Sequence, residues 1–93
     1  MNIVILYGKV VSQIDFKFIY NRYNKKNTYT SIAQCEVMLE NNSIITIYGY
    51  DDVADFMYRK LNKNVNILIE GAIGNNMMIK VEFVLNDWKS RIS

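Results

Sequence analysis

The chain has 93 residues, 51% of them apolar, with four glycines and no proline, which bounds it to one modest domain with a real core and no Pro/Gly-rich linker. Eleven basic against nine acidic residues leave a net charge of +2, too little for nucleic-acid binding by bulk charge, so such a role needs a local patch. One cysteine and no histidine exclude an intrachain disulfide, the usual zinc sites and a Cys-His nucleophile pair, and they fit a reducing compartment.

Asn2 to Gln13 is rich in Ile and Val and predicts a first strand, with Val4, Leu6 and Val10 facing a core. Ile5, Tyr7 and Lys9 then face outward, and Gly8 predicts a bulge or sharp bend. Asp15 to Tyr20 continues in extended form, with Phe16, Phe18 and Tyr20 alternating with Lys17 and Ile19. The polar, asparagine-rich run Asn21 to Asn27 reads as an exposed hairpin loop. Thr28 to Glu40 is a second long strand, with Ala33, Cys35, Val37 and Leu39 on one parity and Gln34, Glu36 and Glu40 on the other. Asn41-Asn42 is a turn, because asparagine tolerates positive φ, and Ser43 to Tyr50 is a third strand.

Asp51 to Leu61 is the one helical pattern, with an apolar stripe of Val53, Phe56, Met57 and Leu61. Asp51 or Asp52 is expected to cap it, Asp55 sits in its first turns, and Arg59, Lys60 and Lys63 gather at its C-terminal end. Asn62 or Asn64 is expected to end it. Asn64 to Ile73 is a fourth strand, Gly74-Asn75-Asn76 a hairpin turn, and Met77 to Leu85 a fifth strand. Residues 1–86 thus form one domain and residues 87–93, which include Trp88, a short C-terminal stub.

The order β-β-β-α-β-β predicts an all-β fold with small α content. Closure into a barrel removes exposed sheet edges, and Gly8, Gly49 and Gly71 supply bends for it. A five-stranded barrel with one helix between its third and fourth strands is the OB-fold.

Binding a single strand takes aromatic faces for bases and cations for phosphates. The densest interleaving of the two is Phe16 to Tyr29, which carries Lys17, Arg22, Lys25 and Lys26 and no carboxylate after Asp15. Phe16 and Phe18 are expected in the core, and Lys17, Tyr20, Arg22, Tyr23, Lys25 and Lys26 at nucleic acid. Tyr48 has parity opposite to Ile45 and Ile47, so it is expected to point outward as a base platform, with Tyr50 on the same parity and Tyr7 and Lys9 on a neighbouring face. Phe56, Met57 and Tyr58 are expected in helix packing and Cys35 in the core. Outward Ile5, Met38 and Ile44 suggest an oligomer interface, a homodimer or homotetramer. Asp51 and Asp52 are more simply caps than catalytic carboxylates. With no P-loop, nucleophile elbow or metal spacing, no enzyme, metal or cofactor is expected. No run approaches the roughly 20 apolar residues of a membrane-spanning helix, and the N-terminus lacks signal-peptide character, so a cytoplasmic location is expected.

Three segments carry a resemblance. Met1-Asn2 with Val4-Ile5-Leu6-Tyr7-Gly8-Lys9-Val10 fits the opening M-N-x-V-x-L-x-G-x-(L/V) of bacterial single-stranded DNA-binding proteins. Ile45 to Tyr58 resembles their third strand and helix. Asn62 to Ile73 resembles their K-x-x-x-(V/L)-x-(V/I)-E-G-x-(L/I) stretch, with Glu70-Gly71 as the E-G pair. The resemblance implies an OB barrel, Tyr48 as a base-stacking aromatic, assembly into dimers or tetramers, and sequence-tolerant binding of single-stranded DNA. RNA is not separated from DNA by these features. The chain departs from the family in its short Asn41-Asn42 hairpin, in Asn42 near the family's tryptophan, and in stopping at Ser93 without an acidic tail. The alternative is therefore an OB-fold protein-interaction or primosome-type assembly module with weak or lost nucleic-acid binding.

Overall fold

The computed structural model describes residues 3–20 and 29–86. Its elements are β1 (Ile3–Val10), β2 (Asp15–Tyr20), β3 (Tyr29–Leu39), β4 (Ile44–Tyr50), α1 (Asp51–Lys60), β5 (Asn66–Ile73), a short 3-10 turn (Asn75–Met77) and β6 (Ile79–Asn86). The sheet runs β1-β5-β6-β4-β3-β2 and closes through β1–β3.

Six strands make five barrel staves, because β1 and β2 lie end to end along β3. β1 pairs with the C-terminal part of β3, from Gly8↔Leu39 to Val10↔Val37, and β2 with the N-terminal part, from Asp15↔Gln34 to Tyr20↔Tyr29. Residues 11–14 bulge between them, held by the Val11 N–H on the Glu36 carbonyl at 2.9 Å and the Glu36 N–H on Ser12 Oγ at 2.8 Å. The helix thus follows β4, which is the third stave, as the element order requires. The last seam is a short parallel pairing of β4 with β6, Ile47↔Ile79 and Tyr48↔Lys80.

Alternate residues fill the barrel. Val10, Ala33, Cys35, Val37, Ile47, Ile67 and Ile69 are buried from the staves, while Ala54, Met57 and Leu61 plug one end from the helix side. Each large one contributes about 1.5–3 kcal/mol of burial. Burial pushes the Cys35 thiol up to about 12, with the Glu36 charge adding to it, so it packs as an apolar group.

Three expectations need correction. Gly8 is not a bulge: the ladder runs through it, and it is where β1 is paired on both edges, to Ile67 and to Leu39. The register shift lies instead at Glu70/Gly71, where Glu70 faces Phe83 but Gly71 faces Val81. Glu82 is the extra residue, and it flips the parity of β6 so that Val81 and Val84 are both buried. The helix N-cap is Tyr50, with no side-chain cap bond, so Asp51 and Asp52 lie inside the first turn and favour the dipole's positive end. The helix ends at Leu61 as C-cap, before either asparagine.

The turns expected at Asn41-Asn42 and at Gly74-Asn75-Asn76 are present. Asn42, Asn64 and Asn76 take positive φ, and Gly74 N–H meets the Met78 carbonyl at 2.7 Å across the β5–β6 turn. No described helix is long and apolar enough to cross a membrane.

Candidate nucleic-acid interface

Two cross-strand rows run over the outer surface of β2, β3 and β4. One is Lys17–Ile32–Tyr50, the other Asp15–Gln34–Tyr48, which continues to Lys80 on β6. Strands lie about 4.8 Å apart, so Lys17 stands about 10 Å from Tyr50 along its row. Ile32, Gln34, Tyr48, Tyr50, Asn76 and Met78 line a shallow depression there.

Tyr48 is on the outer face, as its parity requires, yet it is only 9% exposed. The β5–β6 turn covers it: a Cβ at Gly74 would run into the Tyr48 hydroxyl, so with any larger residue there the ring or the turn has to shift. The expectation of an open Tyr48 face is therefore corrected. Tyr50 is the open ring, at 38% exposure. Tyr48 meets it edge-on, with centroids 5.7 Å apart. Lys80 Nζ stands 5.9 Å from the centre of the Tyr50 ring and 3.5 Å from Glu82 Oε1, so the ring carries a cation beside it. β4 extends to Tyr50 because that residue still pairs with Ile32, and the helix begins without a linker. A tyrosine thus occupies a position where Ser, Asp or Asn would cap better by about 1 kcal/mol.

Tyr7 and Lys9 do not join this patch. They face outward from β1 and border a separate depression with Met38, Glu40, Asn42 and Asn66. Tyr7 donates its hydroxyl to Glu40 Oε2 at 3.0 Å. That bond, and then the Glu40 charge, raises the Tyr7 phenol above its ordinary value of 10.0. On β3 the exposed carboxylate of Glu36 stands between Gln34 and Met38, dividing the two regions.

Tyr20 is exposed with its ring 5.2 Å from Tyr29. Phe16 is half-buried against the core, as expected, but Phe18 is 68% exposed, which corrects its core assignment. Tyr58 is also exposed, its ring 4.8 Å from Phe16. Arg22, Tyr23, Lys25 and Lys26, with the rest of the loop, lie outside the described residues, as does Trp88.

Sequence reasoning missed Ile32, Gln34, Asn76, Met78 and Lys80 at this face. Lys80 was legible in principle: it alternates with Ile79 and Val81, and barrel closure sets β6 beside β4. Among the described residues, no group of three or more His, Cys, Asp or Glu stands together to hold a metal ion.

No family model matches the sequence, and no curated protein matches it. Solved structures do. The SSB domain of a protein from Synechococcus superposes with a TM-score of 0.71 at 21% identity, covering 90% of this chain and 93% of that one. The wild-type single-stranded DNA binding protein from Thermus aquaticus gives 0.72 at 18% identity, over 91% of this chain and 39% of that one. The protein priB from Ralstonia solanacearum gives 0.69 at 12% identity, over 91% and 97%. The chain is an OB-fold barrel. The OB face that commonly takes oligonucleotides is the second and third staves with two flanking loops. Here the described parts of that face are β3, β4 and the Gly74–Met78 turn that rests on Tyr48.

Proposed function

We propose that this chain binds single-stranded DNA without sequence preference, as a non-enzymatic cytoplasmic protein, by stacking bases on aromatic rings and meeting phosphates with lysines. The carrying observation is the Tyr50 ring. It is open on the β3–β4 face, backed edge-on by Tyr48 and attended by the Lys80 ammonium, with Lys17 at the end of its row. In this reading the basic stretch with Arg22, Tyr23, Lys25 and Lys26 adds further cations and a ring, and Tyr20 adds a ring from β2. Titration with oligo-dT tests this reading: tyrosine emission is expected to be quenched, and log affinity to fall linearly with log salt. No binding at low salt overturns it. Parallel titration with oligo-U measures the preference for DNA over RNA.

The protein acts as a homo-oligomer in this reading. Ile3 to Leu6 of β1 pair with β5, and the β1–β3 ladder begins only at Gly8. Ile3 and Ile5 are exposed along that strand, and an open apolar edge favours pairing with a second copy. Ile5→Lys is expected to shift sedimentation towards monomer. An unchanged sedimentation coefficient removes β1 from the interface.

A second reading is an assembly module that binds protein. The exposed Ile5, Ile44 and Phe83 favour it. Self-association without oligo-dT binding at low salt decides for it.

A further inference from the structure

The β3–β4 ladder ends at Ile32↔Tyr50, whereas β3 continues against β2 through Phe18↔Ser31, Ile19↔Thr30 and Tyr20↔Tyr29. Beyond the barrel these residues form a two-stranded ribbon with two unlike faces. One, carrying Lys17, Ile19, Thr30 and Ile32, is continuous with the Tyr50 row. The other carries Phe18, Tyr20, Tyr29 and Ser31, and at its base Phe16 packs on Tyr58 of the helix.

We propose that this aromatic back face is a second stacking surface for unpaired nucleobases, so that a bound single strand turns over the ribbon and engages both of its faces. This rests on the single-strand reading above. Phe18 and Tyr29 are 68% and 65% exposed, on a two-stranded element that gains little stability by itself in water. The rings form short steps: Phe16 to Phe18 at 5.3 Å and Tyr20 to Tyr29 at 5.2 Å between centroids. Among the described residues, no aliphatic side chain stands on this face beyond Ala33; Ile19 and Ile32 are on the other. Flat exposed rings serve a stacked base and a protein contact alike, so the charge around them decides between the two. The charge is complementary to a polyanion as well. Between Asp15 and Glu36 the chain has four basic residues, Lys17, Arg22, Lys25 and Lys26, and no carboxylate. Lys17, on the opposite face from Phe18, meets phosphates while the bases turn over the edge.

The test uses the full chain with short and long oligo-dT, the short one just covering the Tyr50 depression. Lengthening the oligonucleotide adds affinity in the wild type. In Phe18→Ala that gain is expected to shrink on the order of tenfold, with the salt slope unchanged because no phosphate contact is lost. Phe18→Tyr restores it. Light-induced cross-linking of a halogenated-uracil oligonucleotide is expected to label Phe18, Tyr20 or Tyr29. Phe18 is exposed, so Phe18→Ala keeps its melting temperature. A wild-type length gain in Phe18→Ala, with Tyr50→Ala still weakened, overturns this inference alone. So does a change of oligomeric state in Phe18→Ala without loss of the length gain, which makes the face a contact between copies. No binding by the wild type overturns the function reading and this inference with it.

Discussion

Tyr50 and Tyr7 stand on the outer surface of the same barrel with nearly equal exposure, 38% and 39%, in opposite company. Tyr50 has a lysine ammonium 5.9 Å from its ring centre and a second tyrosine edge-on behind it. Tyr7 has its hydroxyl bonded to a carboxylate at 3.0 Å, with apolar Ile5 two residues before it. A base stacking on Tyr50 brings its phosphate towards Lys80, whose pairing with Glu82 at 3.5 Å is solvent-exposed, and towards Lys17 at the end of the row. A base on Tyr7 brings its phosphate towards Glu40, and Lys9 does no more than offset that charge. Exposure alone therefore does not mark a stacking platform; the charge beside the ring does.

The comparison breaks or holds on a pair of substitutions. Tyr50→Ala is expected to weaken oligo-dT binding by about 1–3 kcal/mol, the usual worth of one stacked base. Tyr7→Ala is expected to change it by no more than about 0.5 kcal/mol, as a surface change away from the site. Equal losses in parallel titrations would erase the distinction between the patches.

A somewhat smaller effect tests the support beneath Tyr50. Gly74→Ala places a methyl group against the Tyr48 hydroxyl, so either the ring or the turn must move. Overpacking of this kind costs about 1–3 kcal/mol. In a domain this size each kcal/mol lowers the melting temperature by about 4–8 °C. Oligo-dT affinity is expected to fall with it, because Tyr48 backs Tyr50 and the turn supplies Asn76 and Met78 to the depression. A melting temperature unchanged in differential scanning fluorimetry would mean that the turn does not depend on the Tyr48 contact.

Tyr48 also shows where sequence stops being legible. Alternation correctly puts Ile47 inside and Tyr48 outside, since it follows from the pleat. It says nothing of what lies over the outer face, and the β5–β6 turn is remote in sequence. Phe18 departs from its expected place, and Phe16 does not, for a related reason. They share a parity and a local pattern, but the barrel ends between them, where β3 outruns β4. That boundary is set by ladder lengths, which no single strand encodes. The helix starts at Asp51 as expected, but its cap is Tyr50 because β4 pairs as far as that residue, and tertiary pairing overrides the capping preference of Asp51 and Asp52. The barrel itself was legible, because alternation, asparagine turns and one amphipathic helix all agree on it. The bend at Gly71 was legible too: a Cβ there would meet the Lys80 carbonyl at the bulge.

The smallest effect is spectroscopic, and it sharpens the contrast from the Tyr7 side. Deprotonating Tyr7 would set a phenolate against the Glu40 carboxylate, so the folded state holds the proton beyond the ordinary value of 10.0. A raised folded pKa means that the stabilisation is fully present below the unfolded value. It is lost as pH rises through the higher folded value. Absorbance titration of the native protein should therefore contain a tyrosine that ionises late, and Glu40→Gln or Tyr7→Phe should remove that late step. The difference in melting temperature between wild type and Tyr7→Phe should narrow as pH rises above about 10. Oligo-dT affinity near neutral pH should not follow either substitution, since the phenol is protonated there with or without Glu40. If Glu40→Gln instead strengthened binding at neutral pH, the Glu40 charge would be repelling phosphate. Tyr7 would then belong to the interface after all.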